Sequence, residues 1–241
     1  MLCEDIGGGR FSFRYDASVF APSTDSFLLA DFARPKRRDT VADLGAGAGL
    51  LSLLLAARED ALHFLLIDRD EHALALAEEN FSHNRIAERA ELFAADLRER
   101  VALPQANRAD YALANPPYFP EGSGVLSPDP HRRAARSEGG CTVDELAAAA
   151  KYLLRSGGRF ALVHRADRAA DIICSLRAHG LEPKRLQFVQ HRAGAAPSLL
   201  LLEAVSDGKP GLSPEPTLIL YDEDGGESAA YRRIYNREDT E

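Results

Sequence analysis

Asp43-Leu44-Gly45-Ala46-Gly47-Ala48-Gly49 joins a short apolar run, Thr40 to Leu44, to a Leu/Ala-rich stretch that continues to about Arg58. Glycines at such a junction let the chain turn tightly from strand to helix and let a ligand come close to the backbone. The spacing is G-x-G-x-G, and Leu50 stands where a dinucleotide fingerprint has its third Gly or Ala. A turn of this kind also serves as a purely structural corner. By itself it speaks for the local fold more than for a ligand.

Working outward from this turn, strand-like and helix-like segments alternate. His63 to Ile67 reads as a second buried strand, and Asp70 to His83 shows helical spacing through Leu74, Ala77 and Phe81. Ala90–Ala94 and Asp110–Ala114 read as the third and fourth strands. Thr142 to Leu154 is an Ala/Leu helix with Thr142 as N-cap and Gly157-Gly158 as its stop. Arg159–His164 is a fifth strand, and Asp167–His179 is a helix closed by Gly180. Arg185–Gln190 and Ser198–Val205 are separated only by a loop, so they pair as an antiparallel hairpin. The expectation is an α/β fold: a doubly wound, Rossmann-like sheet, mostly parallel, with an antiparallel C-terminal hairpin. Three segments follow: an N-terminal closing segment (1–35), the main domain (36–206) and an acidic C-terminal extension (207–241). In the last, Leu218–Tyr221 and Tyr231–Tyr235 are apolar enough to dock.

The chain has 241 residues, 45% hydrophobic and 27% charged, enough for one large domain with a buried core. Its longest apolar run, Leu50 to Ala57, is far below the roughly 18 residues of a membrane span. No cationic stretch leads into an apolar one at the N-terminus, so no signal peptide is expected. Cys3, Cys141 and Cys174 form no C-x-x-C pair, and the histidines are scattered, so neither a disulfide framework nor a metal site is expected. These features together suggest a cytoplasmic protein, a monomer or weak homodimer. The net charge of −8 is uneven: from Glu203 onward ten acids face four bases. Basic clusters remain at Lys36-Arg37-Arg38, Arg132-Arg133-Arg136 and Lys184-Arg185, so a local contact with nucleic acid is possible although a broad positive field is not.

Four features after the strands carry chemistry. Asp68 ends the second strand, where an acid accepts hydrogen bonds from both hydroxyls of a ribose or stands as a solvated loop acid, with Asp70 and Glu71 beside it for comparison. Asp96 follows the third strand, where it could accept from an adenine amine or cap a short helix. Asn115-Pro116-Pro117-Tyr118 follows the fourth and is the most specific signal. Two prolines cannot continue a strand and hold the carbonyls outward. The Asn115 side-chain oxygen and the Pro116 carbonyl then make two neighbouring acceptors beside an aromatic ring. That set suits a planar NH2 group: the acceptors hold its hydrogens, the ring stacks its base, and the nitrogen lone pair can attack an electrophilic methyl. No phosphate-binding Gly-x-x-x-x-Gly-Lys loop or Gly-x-Ser-x-Gly elbow occurs.

In this order and spacing the chain resembles class I S-adenosylmethionine-dependent methyltransferases acting on amino nitrogens. It resembles most the bacterial tRNA(1,Val) (adenine-N6)-methyltransferases. The likeness includes Asp25-Ser26-Phe27-Leu28-Leu29-Ala30, Asn115 to Phe119, Ala135-Arg136-Ser137-Glu138 and Gly157-Gly158-Arg159. It implies methylation at N6 of an adenosine in tRNA, the one immediately 3′ of the anticodon in a valine tRNA, with S-adenosylmethionine as cofactor. It implies that Gly45, Ala46, Gly47 and Gly49 lie against the cofactor's methionine and ribose, and that Asp43 helps hold its amino group. Asp68 and Arg69 border the ribose, and Asp96 and Leu97 the adenine. Asn115 and Pro116 orient the target amine beside Pro117, with Asn115 also at the cofactor, while Tyr118 and Phe119 meet the flipped base. Thr24 and Asp25 close the cofactor pocket, and Arg132, Arg133 and Arg136 contact phosphates. The same Asn-Pro-Pro-Tyr also occurs in glutamine-N5 methyltransferases of release factors and in guanine-N2 methyltransferases of ribosomal RNA. The first usually carry a helical domain ahead of it and the second a duplicated domain, and this chain has room for neither. A non-catalytic binding module has no use for two acceptors aimed at an amine.

Overall fold

Apolar runs of strand length, alternating with helices through the middle of the chain, build the computed structural model, which describes residues 1–16, 19, 21–117 and 141–235. The N-terminal segment is a hairpin, β1 (Leu2–Ile6) and β2 (Phe11–Tyr15), followed by α1 (Thr24–Phe32). The alternation then runs β3 (Thr40–Leu44), α2 (Leu50–Arg58), β4 (His63–Asp68), α3 (Glu71–His83), β5 (Ala90–Ala94) and β6 (Ala109–Ala114). It continues with α4 (Val143–Leu153), β7 (Leu154–Arg165), α5 (Ala169–Ala178), β8 (Leu181–Arg192) and β9 (Leu199–Ser206). The tail adds β10 (Ser213–Pro214), β11 (Leu218–Tyr221) and α6 (Ala229–Ile234).

The main sheet has the order β10-β8-β9-β7-β6-β3-β4-β5, with β11 also paired to β8. All pairings in it are parallel except those of β9, which runs antiparallel to both β7 and β8. The expected doubly wound sheet with its antiparallel hairpin is therefore present. Alternate residues of the central strands point to opposite faces, as the two-residue period of a strand requires. Val41, Phe64, Leu66, Tyr111 and Leu113 join the core under α1, α2 and α3, whereas Ala42, Leu65, Ile67, Ala112 and Phe160 join the core under α4 and α5. Burial on both faces explains why these strands read as nearly continuous apolar runs.

Three local features correct or extend the sequence expectation. The helix after Thr142 has the expected cap, a reciprocal box in which Thr142 Oγ1 accepts from Glu145 N–H and the Glu145 carboxylate accepts from Thr142 N–H. Yet it ends at Leu153, and Gly157-Gly158 lie inside β7, where the register with β6 shifts between Ala109 and Tyr111. A Cβ on Gly158 would come 2.9 Å from the Arg155 carbonyl and 3.2 Å from that of Asp110, so the glycine admits this fold-over of the strand rather than stopping a helix. Second, β9 is inserted between β7 and β8, so the outer position belongs to the hairpin's first strand. Third, part of the acidic tail belongs to the sheet, since β11 extends its edge in parallel with β8.

A buried polar network ties these pieces together. Glu203, on β9, is 2% exposed and accepts from the Tyr111 hydroxyl, with Arg185 Nη1 at 3.2 Å. Arg185 also donates to Glu215 at 2.7 Å and to the Phe32 carbonyl, and lies over the Phe32 ring. Burial and the adjoining carboxylate push the Tyr111 phenol well above its ordinary pKa, so it stays a donor.

Candidate active site

The winding of the sheet reverses between β3 and β6. From β3 the chain moves outward through β4 to β5, then returns to place β6 on the other side of β3. Loops leaving two such strands diverge, and open α/β sheets take their ligands in the crevice between them. The register brings the strand ends into one row. Leu44 pairs with both Ile67 and Ala114, and Asp68 pairs with Ala94. Gly45, Asp68, Ala95 and Asn115 therefore leave four adjacent strands at one edge, across three spacings of about 4.8 Å each.

The glycine turn is built for close approach. Gly45 and Ala46 donate to the Ile67 carbonyl at 2.9 and 3.1 Å, and Gly49 donates to the Ala46 carbonyl at 2.9 Å. Gly45, Gly47 and Gly49 have φ of 79°, 54° and 83°, a region that favours glycine. Their roles differ. A Cβ on Gly49 would lie 3.3 Å from Ala77 Cβ and 3.4 Å from Phe81 Cε2, so this glycine lets α2 pack on α3. A Cβ on Gly45 or Gly47 would meet no protein atom within 4 Å. These two present bare backbone to open space.

Three carboxylates line the row. Asp43 is buried and accepts from Ser52 Oγ at 2.7 Å. Burial pushes its pKa up to about 6; the nearby Asp68 adds to the shift and the Ser52 hydrogen bond opposes it. A cationic partner there would hold the ionised form. Asp68 is half-buried and holds two backbone donors, Gly47 N–H on Oδ2 at 2.8 Å and Asp70 N–H on Oδ1 at 2.9 Å. Each oxygen keeps a second lone pair for a further donor. Asp96 grips Arg98 with both oxygens, from Nε at 2.9 and 3.1 Å and from Nη2 at 2.6 Å, and accepts Arg98 N–H at 2.9 Å. The Arg98 guanidinium holds its pKa at about 2. Asp96 thus makes an Asx turn; the short helix that follows starts later, at Arg100. Arg69 is exposed and Leu97 half-buried, at the ends of β4 and β5. Asp70 is no bystander: its Oδ1 accepts from His72 N–H at 2.9 Å and Ala73 N–H at 3.2 Å, capping α3.

Asn115 and Pro116 are half-buried and Pro117 exposed, directly after β6. Asn115 Nδ2 donates to Ser26 Oγ at 3.0 Å, which leaves Oδ1 as the accepting end of the amide. Ser26 sits in the first turn of α1 beside Thr24 and Asp25. Thr24 Oγ1 lies 3.3 Å from the Tyr231 hydroxyl and accepts from the Tyr235 hydroxyl at 3.2 Å, so its hydroxyl meets the C-terminal helix. Sequence reasoning missed Ser26 and Ser52. Ser26 pairs with a residue 89 positions away, and no local pattern announces such a contact. Tyr118, Phe119, Arg132, Arg133 and Arg136 lie outside the described residues. Among the described residues, no group of three or more His, Cys, Asp or Glu side chains could hold a metal ion, and no helix is long and apolar enough to cross a membrane.

Residues 12–176 match the methyltransferase small domain family. A protein of Parabacteroides distasonis, named tRNA1(Val) (adenine(37)-N6)-methyltransferase, is 31% identical over 195 residues, 80% of each chain. A protein of the same name from Tolumonas auensis is 30% identical over 225 residues, 91% of this chain and 92% of its own. Among solved structures, an Agrobacterium tumefaciens protein described as "a predicted O-methyltransferase" superposes with a TM-score of 0.72. That match covers 88% of this chain and 96% of the other at 22% identity, so it speaks for the fold alone.

Proposed function

The chain belongs to the methyltransferase small domain family and, within it, to the tRNA1(Val) (adenine(37)-N6)-methyltransferases, and on that premise we propose that it methylates N6 of an adenosine in tRNA, using S-adenosylmethionine. The finer reading is that the target is adenosine 37 of a valine tRNA, the position in the relatives' names, which we take as the adenosine immediately 3′ of the anticodon. The enzyme then works in the cytoplasm, with its substrate. One observation carries the chemistry: Asn115-Pro116-Pro117 leaves β6 across the switch-point crevice from the glycine turn of β3.

The residues present fit the cofactor. Gly45 and Gly47 expose backbone that any side chain would cover, and the row is acidic, which suits a ligand carrying a sulfonium and an ammonium. Asp43 would hold the ammonium, Asp68 with Arg69 the ribose, and Asp96 and Leu97 the adenine. Ala46, Gly49 and Asn115 complete the wall, and Thr24 and Asp25, from the N-terminal segment, close it. S-adenosylmethionine supplies an electrophilic methyl whose sulfur leaves neutral. The chain's own part is orientation. Asn115 Oδ1 and the Pro116 carbonyl accept the two hydrogens of the target amine, which draws its nitrogen out of conjugation and aims the lone pair at the methyl. Pro117 fixes that backbone, and Tyr118 and Phe119 stack the base. Arg132, Arg133 and Arg136 hold phosphates. After transfer the proton leaves to water, so no side chain must act as a base.

Labelled S-adenosylmethionine and total tRNA, followed by digestion to nucleosides, test the reading. Label is expected in N6-methyladenosine, with a valine tRNA preferred over one in which adenosine 37 is replaced. Asn115→Ala should slow single turnover at saturating cofactor by roughly 10²-fold, far more than it weakens cofactor binding. Label in another nucleoside, or only in protein, would overturn it.

A further inference from the structure

We propose that Ser26 is a positioning residue for the transfer: it sets the amide of Asn115 in the sense that turns Oδ1, and not Nδ2, toward the incoming amine. The proposal rests on the reading of Asn115 as an acceptor. The two ends of an asparagine amide have nearly the same shape but opposite hydrogen-bonding character. A flipped amide would set its own N–H groups against those of the substrate, donor against donor. Transfer therefore needs one end chosen in advance, and preorganised acceptors act only when they are already aimed.

Ser26 is placed to choose. It is buried, on the first turn of α1, with Oγ 3.0 Å from Asn115 Nδ2. A hydroxyl has one proton, and Ser23 Oγ lies 3.4 Å away as a second partner that could take it. With that proton directed to Ser23, the lone pairs of Ser26 face Asn115, and only the NH2 end of the amide satisfies them. The turn that carries Ser26 is itself held. Thr24 meets Tyr231 and Tyr235, and the Phe27 ring stacks on Tyr235 at 4.2 Å with 18° between planes. The serine therefore has a fixed stage from which to orient a residue on β6.

Single-turnover rates at saturating cofactor and tRNA, measured for Ser26→Ala, Asn115→Ala and the double variant, test this. Ser26→Ala should lose about three- to tenfold in rate, the effect of one side-chain hydrogen bond, with cofactor affinity unchanged. Ser26→Thr, which keeps the hydroxyl, should recover the rate. In the Asn115→Ala background, Ser26→Ala should cost nothing further, because there is no amide left to orient. Equal losses in both backgrounds, as a merely structural serine would give, overturn the proposal. So does an unchanged rate in Ser26→Ala when Asn115→Ala is crippled, and in that case the acceptor reading stands. If Asn115→Ala itself keeps its rate, the acceptor reading fails first. Should Ser26→Ala not fold, Ser26→Cys fills the space with a poor acceptor and is held to the same outcomes.

Discussion

Replacing Asp68 by asparagine changes one atom and puts two of its tasks in conflict. In the native site each carboxylate oxygen takes a backbone donor, Gly47 N–H at 2.8 Å and Asp70 N–H at 2.9 Å. An amide has a single acceptor, so in either orientation one of these N–H groups faces an NH2. Leaving a donor unmet costs about 1–3 kcal/mol when buried, and Asp68 is half-exposed, so about 1 kcal/mol of stability should be lost. The ligand loses more. A ribose hydroxyl bound to an ionised carboxylate contributes about 1.5–3 kcal/mol, so S-adenosylmethionine should bind roughly ten- to a hundredfold more weakly. Asp70→Ala is the matched comparison, because it removes the cap of α3 and should also cost about 1 kcal/mol. The two variants then unfold alike in urea and part company in calorimetric titration with the cofactor. If Asp68→Asn binds as tightly as the wild type, or if both variants lose affinity equally, Asp68 does not hold the ribose.

The glycines of the turn should separate in the same way: Gly49→Ala should lose about 2–4 kcal/mol from its positive φ and its contact with α3, whereas Gly47→Ala should lose about 1–2 kcal/mol and abolish cofactor binding. The reverse order in unfolding and titration would move the ligand away from Gly47. Because Asp43 has a pKa raised to about 6, its carboxylate is half protonated at that pH, so cofactor affinity should be near full a unit above it and fall as pH drops through it. The sign for stability follows: the folded chain holds this proton more tightly than the unfolded one, so Asp43 contributes stability at low pH that declines as pH rises from about 4 to about 6. Single-turnover rate at saturating cofactor should stay nearly flat from about pH 6 to 9, and an inflection near 6.5 removed by replacing one histidine would show a general base instead. Glu203→Leu should destabilise by about 3 kcal/mol, since it strips a buried partner from Tyr111 and Arg185, and a thermal midpoint within 2 °C of the wild type would remove that network from the account of stability.

What the amino-acid sequence determined by itself lies close along the chain. The glycine turn, the strand–helix alternation, the Thr142 cap and the Asn-Pro-Pro turn each depend on residues within a few positions, where periodicity and backbone stereochemistry act directly. Those local rules were enough for a mostly parallel sheet with an antiparallel hairpin. They also misled where two local signals share residues. Gly157-Gly158 look like a helix stop and are a fold-over within β7. Tertiary structure alone decided the insertion of β9 between β7 and β8, because strand order is settled by burial of both sheet faces at once. It alone joined Ser26 to Asn115, Thr24 to Tyr231 and Tyr235, and Tyr111 to Glu203. These partners stand 89 to 211 positions apart, and nothing in either one's neighbourhood encodes the other. Their hydrogen bonds exist because polar groups brought into the packed interior must find partners there.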